Sequence, residues 1–111
     1  MKRGDIYFAQ LDPTIGNEIQ KTRPVVIVSN DIANRSSNLV TVVPLTSSVQ
    51  KVYPFETLLL ASETGLTKVS KALAQQIRTL DKRRLSGRLQ GTVQPVKMKL
   101  LDDAIRLHLA L

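Results

Sequence analysis

No cysteine occurs in the chain, which excludes disulfide bonds and thiolate metal sites. There is one histidine, His108, so a multi-histidine metal centre and a ribonuclease built on a histidine pair are both excluded. The nine acids are scattered, with no D-x-D or E-x-x-x-D pair set to hold magnesium. No glycine-rich phosphate loop opens a helix. Aromatic residues are few: Tyr7, Phe8, Tyr53 and Phe55. Base stacking can therefore rest on Tyr53 at most, with Phe8 and Phe55 expected in the core. No apolar run approaches the roughly 18–20 residues of a membrane span. The start, "MKRGDIYFAQLDP", is basic but lacks a signal peptide's apolar run. These absences predict a soluble, cytoplasmic protein with no metal, cofactor or membrane contact.

What is present is positive charge. Sixteen Lys and Arg stand against nine Asp and Glu, a formal charge of +7. Between Thr67 and Lys99 there are nine basic residues and one acid, Asp81. Such a skew fits a polyanionic partner, either nucleic acid or an acidic protein segment, as well as a merely solvated surface. The 111 residues suffice for one domain, and at 42% hydrophobic for a small core that pairing with a second copy would enlarge.

Along the chain, Asp5–Leu11 reads as an opening strand ended by Asp12-Pro13, and Thr14–Thr22 as a polar loop. Pro24–Ser29 is a β-branched run suited to a strand buried on both faces. Asn30–Ser37 has room for one helical turn. Leu39–Leu45 is a strand in which Pro44 suggests an edge or bulge. Phe55–Ala61 and Lys68–Ala74 are expected to pair across a turn at Glu63-Thr64-Gly65. Gln75–Leu80 continues as strand toward a short helix capped by Asp81, and Arg88–Val93 is a last strand. Pro95 opens the one strong helix, with Val96, Leu100, Leu101, Ala104, Leu107 and Leu111 at helical spacing. The pattern predicts a mainly β protein with helices: a small SH3-like or OB-like barrel with a C-terminal α-helix.

The chemistry left to such a chain belongs to Arg, Thr, Ser, Gln and Glu at strand ends. None is a strong nucleophile alone. RNA carries its own nucleophile, the 2′-hydroxyl. Its in-line attack on the adjacent phosphorus needs charge stabilisation, orientation and proton transfer. An arginine fork matches phosphate oxygens, hydroxyls and backbone N–H groups hold the remaining oxygen, and a carboxylate or water takes the proton.

Five segments occur in order: "RGDIYFAQLDPTIGNE" at Arg3–Glu18, "TRPVVIVSND" at Thr22–Asp31, "VVPLTSS" at Val42–Ser48, "YPFE" at Tyr53–Glu56 and "QIRTLDKRRL" at Gln76–Leu85. Together they resemble the MazF/PemK family of toxin endoribonucleases over residues 1–111, as a single toxin domain. The resemblance implies an SH3-like barrel of the CcdB/PemK kind that forms a homodimer. It implies metal-independent, sequence-specific cutting of single-stranded RNA to 2′,3′-cyclic phosphate and 5′-hydroxyl ends. It also implies a cognate antitoxin whose acidic C-terminal segment blocks the RNA groove. Carried over by motif, the catalytic residues are Arg23 of the R-P pair, Thr46 after the V-P strand and Glu18 of the loop. Asn17, Ser47, Ser48, Gln75 and Gln76 are expected to contact RNA.

Two departures bear on mechanism. Some relatives carry histidine where this chain has Asn17, and some carry an acid where it has Gln75, so schemes using those groups do not transfer. Glu18 remains either a proton acceptor or a reader of a base edge. Two other functions are compatible with a small basic barrel. A gyrase-poisoning toxin of the CcdB type would carry a tryptophan near its C-terminus, and this chain has none. A non-catalytic nucleic-acid module would expose more aromatics.

Overall fold

A computed structural model describes all 111 residues. Seven strands form one strongly bent sheet: β1 (Asp5–Gln10), β2 (Thr22–Ile27), β3 (Leu39–Thr46), β4 (Glu56–Leu59), β5 (Ser70–Leu73), β6 (Arg78–Asp81) and β7 (Gly91–Thr92). The helices are α1 (Asp31–Ser36), α2 (Ala61–Thr64) and α3 (Pro95–Leu109). Strand order is β4-β5-β3-β2-β1-β7, and β6 pairs with the first half of β3 on the edge that β5 takes over. Beyond β6 the chain returns along β1 through an Ala9–Leu85 bridge, so the sheet curls into a half-barrel. No helix is long and apolar enough to cross a membrane.

Strand alternation divides the core in two. Ile6, Val26, Val43 and Leu45 point to one side, where Met98 and Leu101 of α3 cover them. Tyr7, Ala9, Val25, Ile27, Val40 and Val42 point into the concave side with Leu80 and Leu85. Both faces of Val25–Ile27 are thus buried, as the β-branched run predicts. The strand begins earlier than expected. Thr22 and Arg23 pair with Gln10 and Ala9, so Arg23 lies within β2 and not ahead of it.

Pro44 does not mark an edge, because β3 is the central strand. Thr41 takes the Val28 N–H at 2.9 Å and sends its own to Ser29 Oγ at 3.0 Å, so odd residues of β3 bond toward β2. Even residues face the opposite edge. There β6 ends its pairing at Val42 and β5 starts at Leu45, so Pro44 sits in the gap and its missing N–H breaks no ladder bond.

Several other expectations shift. The β4–β5 connection is the helical turn α2, not a plain turn. Gly65 ends it at φ +77°, where a Cβ would come within 2.2 Å of Gln90 O. Gln75–Leu80 is not one strand: Ala74–Gln76 forms a 3-10 turn where the chain steps from β5 to β6. Asp81 does cap the next 3-10 turn, Lys82–Arg84, accepting from Arg83 N at 2.8 Å. Only Gly91 and Thr92 of the last predicted strand pair with β1. Asn30 caps α1. In α3, Leu101 and Ala104 are buried, but Val96, Leu100 and Leu107, and Leu111 just past its end, are exposed, and Met98 is buried in their place. His108 is exposed on α3.

Candidate active site

Arg23 and Thr46 lie toward the same end of the neighbouring strands β2 and β3. Val25 pairs with Pro44 as the last pair of the β2–β3 ladder, with Arg23 two residues before the one and Thr46 two residues after the other. Both follow the concave-face parity, at the end of the strands. Arg23 is in none of the ion pairs. Its Nε donates to Gln20 O at 3.0 Å, and its two terminal nitrogens bond to nothing in the protein. A half-buried fork anchored through Nε and free at its outer edge suits an anion with two oxygens to offer. Thr46 Oγ1 accepts from Ser48 N at 3.2 Å, which leaves its hydroxyl hydrogen as a donor.

The preceding loop is closed at its base. Leu11 N donates to Lys21 O at 2.9 Å and Lys21 N to Asp12 Oδ2 at 3.1 Å, with Lys21 held at φ +70°. That left-handed backbone is uncommon for a residue with a side chain, and it sits two residues before Arg23. Glu18 does not pair with Arg23. Its carboxylate accepts from Ile15 N at 2.8 Å, within the loop. Asn17, Glu18, Gln75 and Gln76 instead share a cleft of about 580 Å³ with Ile19 and Arg78. Ser47 joins Arg23 in a second cleft of about 320 Å³, with Phe8, Leu45 and Lys68 among its walls. Ser48 is exposed beside it.

Two side chains bind the site together and were not singled out from the sequence. Glu56, its side chain 3% exposed, takes Lys71 Nζ at 2.9 Å and Tyr53 N at 3.0 Å on one oxygen, and Gln75 Nε2 at 2.7 Å on the other. Lys71 stands opposite Thr46 in the β3–β5 ladder and also donates to Lys51 O at 2.6 Å. The pair thereby pins the loop that follows Thr46. A Lys and a Glu inside two short apolar strands expected to pair was the available signal. Tyr53 lies 5.4 Å from Phe55, with Lys51 4.7 Å over its ring.

Burial pushes the Glu56 carboxyl up, but the bonds from Lys71, Tyr53 N and Gln75 outweigh it and hold the group below its ordinary value of 4.5. A depressed folded value means that Glu56 stabilises fully above the unfolded value, and that this contribution is lost as pH falls through the folded one. Urea melts of the wild type should therefore lose stability on acidification below 4.5, and Glu56→Gln should lose less over the same window. Parallel acid profiles would refute this role.

The basic stretch is less free than its composition implies. Lys71, Arg83, Lys97 and Lys99 pair with Glu56, Asp81, Glu63 and Asp103. Arg78 donates to Leu11 O, Arg84 to Gln10 O and Asp12 O, and Lys82 to Asn34 O. Only Lys68 and Arg88 of the nine have no protein partner. No group of three or more His, Cys, Asp or Glu side chains is gathered anywhere.

The structure is a small β half-barrel with an arginine and a threonine hydroxyl toward one end of neighbouring strands, beside polar clefts. The family model for PemK-like, MazF-like toxins of type II toxin–antitoxin systems matches residues 2–109, and the chain belongs to that family. It is 46% identical over 116 residues to endoribonuclease MazF9 of Mycobacterium tuberculosis, spanning all of this chain and 98% of the relative. It is 38% identical to endoribonuclease EndoA of Bacillus subtilis, spanning 100% and 96%. A mycobacterial endoribonuclease solved in complex with its cognate antitoxin superposes with a TM-score of 0.81 at 30% identity, covering 100% of this chain and 96% of that one. MazF from Deinococcus radiodurans, at 24% identity and a TM-score of 0.85 over 100% and 97%, shares the fold.

Proposed function

We propose that the chain, as one domain over residues 1–111, is the toxin of a type II toxin–antitoxin system and cuts single-stranded RNA by transfer to its own 2′-hydroxyl. The observation that carries this reading is the placement of Arg23, with both terminal nitrogens free, and Thr46, with its hydroxyl hydrogen free, toward the same end of neighbouring strands.

In the reaction the 2′-oxygen forms a bond to phosphorus as the bond to the 5′-oxygen breaks. The phosphorane gathers charge on its non-bridging oxygens. Arg23 binds two of them through its fork, and Thr46 donates to one. These donors are fixed by strands and need little reorganisation as the charge develops. The 2′-hydroxyl loses its proton to water and the leaving 5′-oxygen gains one, giving 2′,3′-cyclic phosphate and 5′-hydroxyl ends. No step calls for a metal. Glu18, committed to the loop and sharing a cleft with Asn17, Gln75 and Gln76, acts on the base side of the substrate, as an acceptor for a base edge. Ser47 and Ser48 flank the phosphate side.

The partners follow from family and surface. The exposed leucines of α3 and the small core suit a homodimer. An acidic C-terminal antitoxin segment would reach the Arg23 end, where Lys68 lines the neighbouring cleft. The protein works in the cytoplasm, where its substrate is mRNA. A time course with a single-stranded RNA long enough to contain every short sequence, and with its annealed duplex, both in EDTA, tests the reading. Cutting of the single strand alone supports it, and an uncut single strand overturns it.

A further inference from the structure

The side-chain amide of Gln75 uses one of its two ends. Nε2 donates to Glu56 Oε2 at 2.7 Å, while Oε1 is shielded from solvent and has no partner. The chemistry of Glu56 fixes which end is which. Its other oxygen already takes Lys71 Nζ and Tyr53 N, and the buried ion pair keeps it ionised. An ionised carboxylate only accepts, so Gln75 must turn its NH₂ toward it and its carbonyl oxygen away. A buried acceptor without a partner is costly, and in native proteins such groups call for an explanation.

The neighbouring glutamine is arranged differently. Gln76 Oε1 accepts from Ile19 N at 2.6 Å, and its Nε2 donates to Asn17 O at 3.3 Å. Both of its ends hold the loop against the cleft that Gln75 also lines. Both ends of Gln76 are thus engaged by backbone, and Gln75 carries the unmet acceptor.

We propose that Gln75 is a specificity-determining residue whose carbonyl oxygen, oriented by Glu56, accepts from the amino group of one base beside the cut and thereby disfavours uracil there. The inference rests on the RNA-cleaving function proposed above. Adenine, cytosine and guanine each carry an exocyclic amino group, and uracil carries none. The single N–H on the Watson–Crick edge of uracil lies between two carbonyl oxygens, which a fixed acceptor repels. Single-stranded RNA presents these edges unpaired. For a base to reach this shielded oxygen, groups lining the cleft must give way as it enters. Glu56 touches no RNA and is a positioning residue.

The test is a cut-site profile: a single-stranded RNA library randomised around one site is digested and the ends sequenced. Wild type should favour amino-bearing bases over uracil by about tenfold at one position, the effect of one hydrogen bond. Gln75→Met should flatten the preference at that position alone. Glu56→Gln supplies an amide that donates, so Gln75 can turn over and present its NH₂. The preference should then move toward the keto bases, uracil and guanine. A merely structural role for Glu56 would slow all sequences alike and leave the profile fixed, which would refute its positioning role. Should Glu56→Gln fail to fold, the Gln75→Met profile decides. A wild-type profile from Gln75→Met overturns this inference alone, whereas a wild-type protein that cuts no RNA overturns the underlying function and this inference with it.

Discussion

Arg23→Ala is expected to slow cleavage of a defined single-stranded RNA by about 10²–10³ while the protein stays folded, the usual effect of deleting a donor aimed at developing charge. The side chain is half-buried, forms no ion pair and holds only Gln20 O, so its loss should cost about 1 kcal/mol of stability or less. Antitoxin binding should be largely retained. Arg23→Lys should also be poor. An ammonium on the same stem cannot be anchored to Gln20 O and still present two coplanar donors to the phosphate. Single-turnover rates with a thermal melt of each variant check this. Near wild-type turnover by a folded Arg23→Ala protein would remove Arg23 from the mechanism.

A substrate with 2′-deoxy at the scissile nucleotide should bind and not be cut at that bond. The protein offers no nucleophile to replace the missing oxygen. It has no cysteine, its one histidine is exposed on α3, and the Thr46 hydroxyl hydrogen-bonds only to Ser48 N, with no acceptor to take its proton. Binding should survive, because in the proposed mechanism Arg23 and Thr46 hold the phosphate and Glu18 and Gln75 the bases. Cleavage of the 2′-deoxy substrate would show that the nucleophile comes from water or the protein.

Much of this was legible before any coordinates, for physical reasons. The run Val25–Ile27 has no polar alternation, and both of its faces are indeed buried. Pro95 at the first turn of α3 and Asp81 before its 3-10 turn are local signals, read correctly because they depend on neighbouring backbone alone. The R-P and V-P-x-T segments named Arg23 and Thr46 as candidates, although not that they would lie toward the same end of neighbouring strands. What escaped depends on long-range pairing. Pro44 reads as an edge until β6 and β5 are known to share one side of β3. The break of Gln75–Leu80 into a turn and a strand has the same cause. Glu56 lay in a recognised motif, but its contact with Lys71, fifteen residues on, exists only because β4 and β5 pair. The basic stretch misled for a related reason: composition counts charges but cannot say which have found carbonyls or carboxylates inside the fold.

The chemistry of the cut ends tests the central claim most directly. A defined single-stranded RNA is incubated with the protein in EDTA, and the fragments are weighed by mass spectrometry. The account predicts a 2′,3′-cyclic phosphate on the upstream fragment and a 5′-hydroxyl on the downstream one, at a rate unchanged by EDTA. A 3′-hydroxyl with a 5′-phosphate, or cutting that stops when EDTA is added, would contradict it.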